Sequence, residues 1–321
     1  MRSSLASAAP RALARRLLVA PAATDWILAV YYVALGLAAY FGQGDDRDRC
    51  LQRIAALLAV HVLSVVLVRG ELVRGRTAGV IHRVVMYGGL QLSYFVLRPL
   101  LNVASTRSYD ESLYRIDVRL FGVEPTLFTD RFVSPASTEW FSFFYFSYFV
   151  LLAVHVLPML ALERRGRLLE EFTLSMALVF CTAHLTYMLV PGYGPLSHLA
   201  GRFVHPLPNG PFHDLVMRAV RGGGALRDVF PSLHTAAPTM LAVFSYRHRD
   251  KTPFRYTWMI VAFFALQIIG ATIFLRWHWL VDIFAGLALA FTAVPLAAAI
   301  AEWEARRRAS LGVPAAWPPL R

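Results

Sequence analysis

Long apolar runs alternate with short charged ones along almost the whole chain. The runs lie at residues 26–41, 54–68 and 79–103, from 140 onward, and at 172–190, 232–247, 256–275 and 279–300. Most approach the ~20 residues that an α-helix needs to cross a bilayer. Backbone amides and carbonyls cannot stay unpaired in lipid, so runs of this length predict helices rather than strands. The pattern therefore predicts an all-α, polytopic transmembrane helix bundle of about eight spans. Between the third and fourth runs, residues 104–138 are too polar for the membrane core. There Tyr109-Asp110, Ile116-Asp117 and Leu120-Phe121-Gly122-Val123-Glu124-Pro125 are spaced as an amphipathic surface helix ended by Gly and Pro. The stretch 191–230, rich in Pro and Gly, reads as a long loop. Its Gly222-Gly223-Gly224 reads as a flexible joint, with a phosphate nest as the less ordinary alternative.

Composition agrees with the pattern. The 321 residues are 57% hydrophobic and 16% charged, which excludes an ordinary soluble domain. The net charge of +12 at first suggests nucleic acid. Its arginines, however, gather in short loops and tails, where membrane topology and anionic lipid account for them, so no nucleic-acid partner is expected. Cys50 and Cys181 are the two cysteines, and Cys181 sits in an apolar run, which argues against a disulfide framework or a cysteine metal site.

The segment 1–23, with Arg2, Arg11, Arg15 and Arg16, resembles a transit segment in composition, but reads more simply as a basic flank that orients the first span. With the N-terminus inside, eight spans bring Arg69, Arg74 and Arg76, the 164–167 turn, Arg247-His248-Arg249 and the Arg306 tail to the inner side. The long loops then lie outside, periplasmic in a bacterial inner membrane or lumenal in an organelle. The expected division is a basic flank at 1–23, two extra spans at 24–78, a catalytic membrane domain at 79–303 and a basic tail at 304–321. No inverted repeat of the kind transporters use is evident.

Two polar clusters stand where apolar runs begin, Phe230-Pro231-Ser232-Leu233-His234 and Arg276-Trp277-His278-Trp279-Leu280-Val281-Asp282. His278 and Asp282 are four residues apart and share a helix face. A carboxylate so placed fixes one imidazole nitrogen and leaves the other basic, which suits a general base or a nucleophile. His234, from a different span, can protonate a departing oxygen. Arg276 is the obvious phosphate ligand, and Ser232 with the amides that open its helix is a second one. A lone histidine at a helix end is more often an interfacial polar residue, the reading given to His61, His82, His155, His184 and His248. His198, His205 and His213 read as solvated loop residues. A His, His, Asp metal site is the alternative for the clusters themselves. With no further acid nearby and Arg276 beside it, no metal or cofactor is expected.

Pro-Ser-Leu-His at 231–234 and Arg-x-His-x-x-x-Asp at 276–282 resemble the type 2 phosphatidic acid phosphatase superfamily. The Leu of Pro-Ser-Leu-His, the Arg-Trp-His-Trp-x-x-Asp run and Leu-Phe-Gly-x-x-Pro at 120–125 resemble its inositol phosphorylceramide synthase-like branch. The resemblance covers about residues 110–300 and implies a six-helix phosphatase-like core. It implies that His278 attacks phosphorus and carries a phospho-histidine, oriented by Asp282, with His234 as acid and Arg276 on the phosphate. The superfamily's first motif, Lys followed after six residues by Arg-Pro, is missing. Arg98-Pro99 matches only its tail and Gln91 stands in place of the Lys. The equivalent position is Pro191-Gly192-Tyr193-Gly194-Pro195, so Arg202 and Arg227 become the candidate replacement cations. Thr272 occupies a position where phosphatases usually carry Arg.

The expected function is that of an integral-membrane enzyme acting on phospholipids or lipid phosphates at the non-cytoplasmic face. It is either a phosphatase or a head-group transferase with a lipid alcohol as acceptor. The alternatives are a catalytically decayed lipid-binding or transport protein on the same scaffold and, last, a proton-coupled transporter.

Overall fold

The computed structural model describes residues 13–161, 166–318 and 320. Arg2 and Arg11 of the expected flank, and Arg164 and Arg165 of the expected basic turn, lie outside them. Among the described residues the chain is all-α. Residues 13–19 are helical, and after them come α1 (Ala23–Phe41), α2 (Arg47–Arg69), α3 (Gly75–Ala104), α4 (Asp110–Phe121), α5 (Pro125–Thr129), α6 (Pro135–Ala161), α7 (Gly166–Leu189), α8 (Pro195–His198), α9 (Pro211–Gly223), α10 (Leu233–Arg247), α11 (Phe254–Phe274) and α12 (Leu280–Leu311).

Seven of these, α1, α2, α3, α6, α7, α11 and α12, are long and apolar enough to cross a membrane, so the protein is an integral membrane protein. The eighth expected span is α10, which has only 15 residues and so extends about 22 Å. It lies at the centre of the bundle. It packs on α6, α7, α11 and α12, and residues Thr235–Leu241 are all buried. Small side chains permit this close packing, as they do between membrane helices generally. Gly286 of α12 shows how tight it is, since a Cβ there would stand 2.6 Å from the Ser232 carbonyl oxygen.

Around α10 the helices form two groups. α3 packs on α1, α2 and α7, whereas α6 packs on α9, α10 and α11. A gap between α3 and α6 is left, with α7 and α10 behind it. The stretch 191–230 is less loop-like than its composition predicts. It holds α8, a 3-10 turn at Ala200–Arg202 and the amphipathic α9, which lies on α6. Gly222 and Gly223 belong to the end of α9, which excludes the flexible-joint reading for them. α4 forms as expected, and Gly122, in the left-handed region at φ +75, ends it.

Candidate active site

The helices that carry the two polar clusters begin at the same end of the bundle. Ser232 is the N-cap of α10, its hydroxyl accepting from the Thr235 amide. Trp279 is the N-cap of α12, its amide donating 2.8 Å to Asp282 Oδ2. The two starts are joined directly, because the Ser232 amide donates 3.0 Å to the Asp282 carbonyl. This brings the rings of His234 and His278 to a centroid separation of 6.0 Å. Tyr145 and Tyr148 of α6 flank His234 with centroids 4.4 Å away on each. Its Nε2 has no hydrogen-bond partner.

His278 is buried, and its Nδ1 lies 2.9 Å from the Val229 carbonyl and 3.4 Å from Asp282 Oδ2. A carbonyl only accepts, so Nδ1 carries the proton and the lone pair of the neutral ring is on Nε2. The i,i+4 pair expected from sequence is thus present, but the backbone carbonyl is the nearer partner. Burial pushes the His278 pKa down to about 4, against the opposing pull of the Asp228 charge and the Val229 carbonyl. A neutral, tautomer-fixed imidazole is what nucleophilic attack requires.

The turn bearing His278 is braced from two sides by acids that the sequence had placed only on a surface helix. Asp110 and Asp117 of α4 are two helical turns apart and face the same way. Asp117 accepts 2.6 Å and 2.9 Å bonds from the Leu280 and Val281 amides at the start of α12. Asp110 accepts from the Tyr193 and Gly194 amides and from Trp279 Nε1. Gly194 is held at φ +85, and a Cβ there would stand 2.4 Å from the Trp277 carbonyl oxygen, so this close approach requires glycine. The only sequence signal for these roles was the seven-residue spacing of the acids on an otherwise apolar-faced helix.

Both histidines open into a cavity of about 750 Å³ between α3 and α6. Leu152, Val156, Leu157 and Phe180 line its apolar reach, and Asp228, Tyr94, Tyr187 and Trp277 its polar end. Among the described residues, no arginine or lysine lines it. Arg276, at φ +67, instead pairs with Asp130 at 2.7 Å, donates to the His205 carbonyl and lies over the Phe203 ring. Burial disfavours the Asp130 carboxylate, yet the His205 and Val204 hydrogen bonds and the Arg276 charge more than offset this and hold its pKa below the ordinary value. Arg227 donates to the carbonyls of Leu101, Ser105 and Arg107. Arg202 is exposed and donates to the Tyr114 hydroxyl. The fold therefore brings together His234, His278 and Asp282, with Ser232 in the turn beneath them. The three arginines point into the surrounding loops. No cluster of three or more His, Cys, Asp or Glu side chains suited to a metal occurs among the described residues.

The 191–195 loop, the position expected from the sequence to stand in for the first motif, reaches the cavity. Gly192 and Tyr193 line the cavity, Gly192 forms a parallel bridge with Asp228, and the Leu196 amide donates 2.7 Å to the Arg276 carbonyl. Asp228 is the further candidate that the motif reading passed over, having neither the spacing of a helix pair nor a partner in the sequence.

No curated protein and no solved structure matches the chain significantly. A family model does match, over residues 111–296, more than half of the chain, and spans α4 to most of α12 with both histidines and Asp282 inside it. The chain belongs to the PAP2 superfamily.

Proposed function

We propose that this protein is a lipid phosphatase or phosphotransferase that works through a phospho-histidine on His278. PAP2 superfamily membership supports phosphoryl chemistry on lipid phosphates. The single observation carrying the mechanism is the pair of imidazoles at the rim of one apolar cavity, 6.0 Å apart, with the Nδ1 of His278 already bonded. In the first step His278 Nε2 forms a bond to phosphorus as the bond from phosphorus to the lipid alkoxide breaks. His234, carrying a proton, delivers it to that oxygen, and a lipid alcohol such as diacylglycerol departs. In the second step His234 takes the proton of the incoming hydroxyl, whose oxygen displaces His278 from phosphorus. Water as acceptor makes a phosphatase, and a lipid alcohol makes a head-group transferase.

Phosphate oxygens face the positive end of α10, where Leu233 and His234 line the cavity and first-turn amides have no intrahelical acceptor. Asp282 acts through the ring it orients, and Arg276 through the turn it anchors to Asp130. In the expected topology the site faces the periplasm or a lumen. The inositol phosphorylceramide synthase-like motifs favour transfer over hydrolysis. The absence of a cavity arginine favours the second reading, a catalytically decayed lipid carrier.

One experiment separates these readings. Full-length protein and His278→Ala, reconstituted in nanodiscs, are given phosphatidic acid and, separately, a phospholipid with a ceramide or diacylglycerol acceptor. Free phosphate and new phospholipid are followed together. Turnover that falls by about a thousandfold or more in His278→Ala, at unchanged Tm, is expected. Equal turnover by the two proteins would sink the phospho-histidine mechanism, and a new lipid without free phosphate identifies the transferase.

A further inference from the structure

Asp228 is a carboxylate at the polar end of the cavity whose nearest charge partner, His278, acts on it only through space. Its side chain accepts 3.1 Å from the Tyr94 hydroxyl, and no Lys, Arg or His nitrogen lies within ion-pairing distance among the described residues. Its neighbour Arg227 donates to three backbone carbonyls and lies over the Tyr193 ring, 5.4 Å from its centroid. Tyr145, Tyr148 and Tyr187, each within reach of the Asp228 charge, line the same cavity together with Trp277. A buried acid in apolar surroundings is disfavoured unless something positive meets it, and burial accordingly raises the Asp228 pKa.

The charge balance of the cavity discriminates between lipids. A phosphomonoester brings close to two negative charges at neutral pH and would meet Asp228 with no arginine or lysine to compensate. A zwitterionic phosphodiester brings one negative charge, which the α10 N-terminus can face, and one ammonium. Carboxylate plus aromatic ring faces is the combination that holds an alkylammonium group, because both attract a cation and neither demands that it be fully hydrated. Resting on the reading of this cavity as a phosphoryl-transfer site, we infer that its substrate is a phospholipid with an ammonium-bearing head group and that Asp228 is the residue that selects it. The lipid's two chains occupy the apolar reach between α3 and α6. Its phosphorus lies between His234 and His278, and its ammonium group lies against Asp228 and the neighbouring rings.

The test pairs two measurements on the full chain in nanodiscs. Turnover of phosphatidylethanolamine or phosphatidylcholine is compared with that of phosphatidylglycerol of the same chains, for wild type and Asp228→Asn. Binding of alkylphosphocholine and alkylphosphoglycerol of equal chain length is measured on the same two proteins. Wild type should favour the ammonium head groups by about tenfold or more in kcat/KM and in Kd, and Asp228→Asn should reduce both ratios to about unity. A kcat/KM that falls equally on both lipids in Asp228→Asn would overturn the inference and make Asp228 a positioning or proton-transfer group. So would a wild type that shows no preference. Should the binding preference depend on Asp228 while neither lipid is turned over, the head-group assignment stands and the enzymatic reading falls. Tyr94→Phe, which removes the hydrogen bond to Asp228 but keeps its charge, should retain the preference and guards against an Asp228→Asn protein that merely misfolds.

Discussion

At the scale of single residues, the site depends on which atom of His278 is left free. The Val229 carbonyl takes Nδ1–H and so leaves Nε2 as the base, whatever the state of Asp282. Burial then fixes the pH at which that base is lost. Because the folded-state value is about 4, below the ordinary 6.5, His278 is neutral throughout pH 5.5–7.5 and is protonated only as pH falls through about 4. The acid limb of kcat/KM should therefore have its midpoint near pH 4. The Asp228 carboxylate raises this value, so Asp228→Asn should move the limb to still lower pH. A limb near 6.5 in the wild type, or an upward shift in the variant, would show that another group controls it. Arg276 shows the limit of reading residues by motif. Its position next to His278 in sequence suggested phosphate, but a backbone held at φ +67 directs its side chain to Asp130.

At the scale of elements, the turn that carries His278 is shaped by what surrounds it. α4 supplies Asp117 to the half-buried amides that open α12, a charged equivalent of an N-cap delivered from a neighbouring helix. Asp117→Ala leaves two half-buried donors unpaired and should cost about 1–2 kcal/mol. A Tm measured in nanodiscs checks this, and activity should fall with it because His278 lies just two residues before Leu280. A Tm within error of wild type would show that water replaces the carboxylate. The amphipathic pattern of α4 was legible from sequence because period and polarity are local properties. Its two capping roles were not, because the amides that Asp117 satisfies lie more than 160 residues away.

At the scale of the whole molecule, the arrangement of helices decides how a lipid arrives. α3 and α6 belong to different packing groups, and Gln91, Phe95 and Phe149 are exposed along the gap that leads inward. Under the proposed function this gap is the route by which a lipid enters from the side, chains first, without leaving the bilayer. Gly88 lines this passage on α3 and has nothing within 4 Å of where a Cβ would be. Gly88→Trp should therefore fill the passage and leave the fold intact. The expected outcome is a KM for long-chain phospholipid raised about tenfold or more, with Tm unchanged and turnover of a short-chain soluble analogue little affected. Equal loss on long-chain and short-chain substrates would place the entrance elsewhere. The family match begins at Glu111 and so leaves α1, α2 and α3 outside it, yet α3 forms one wall of the cavity.

The sequence by itself determined the class of the protein, because hydropathy and the need to pair every backbone group in lipid leave helices as the only open choice for such runs. It also singled out the two candidate histidines and Asp282, whose types and spacings suit chemistry that acts over one helical turn. Only the tertiary structure decided the rest. It placed α10 in the centre, so that a helix of 15 residues is buried on nearly all sides. It turned Arg202, Arg227 and Arg276 away from the cavity and Asp228 towards it, although Arg227 and Asp228 are adjacent in the chain. The physical reason is that a side chain's surroundings in a helix bundle depend on which distant carbonyls, carboxylates and rings reach it. None of those distances is encoded in local spacing.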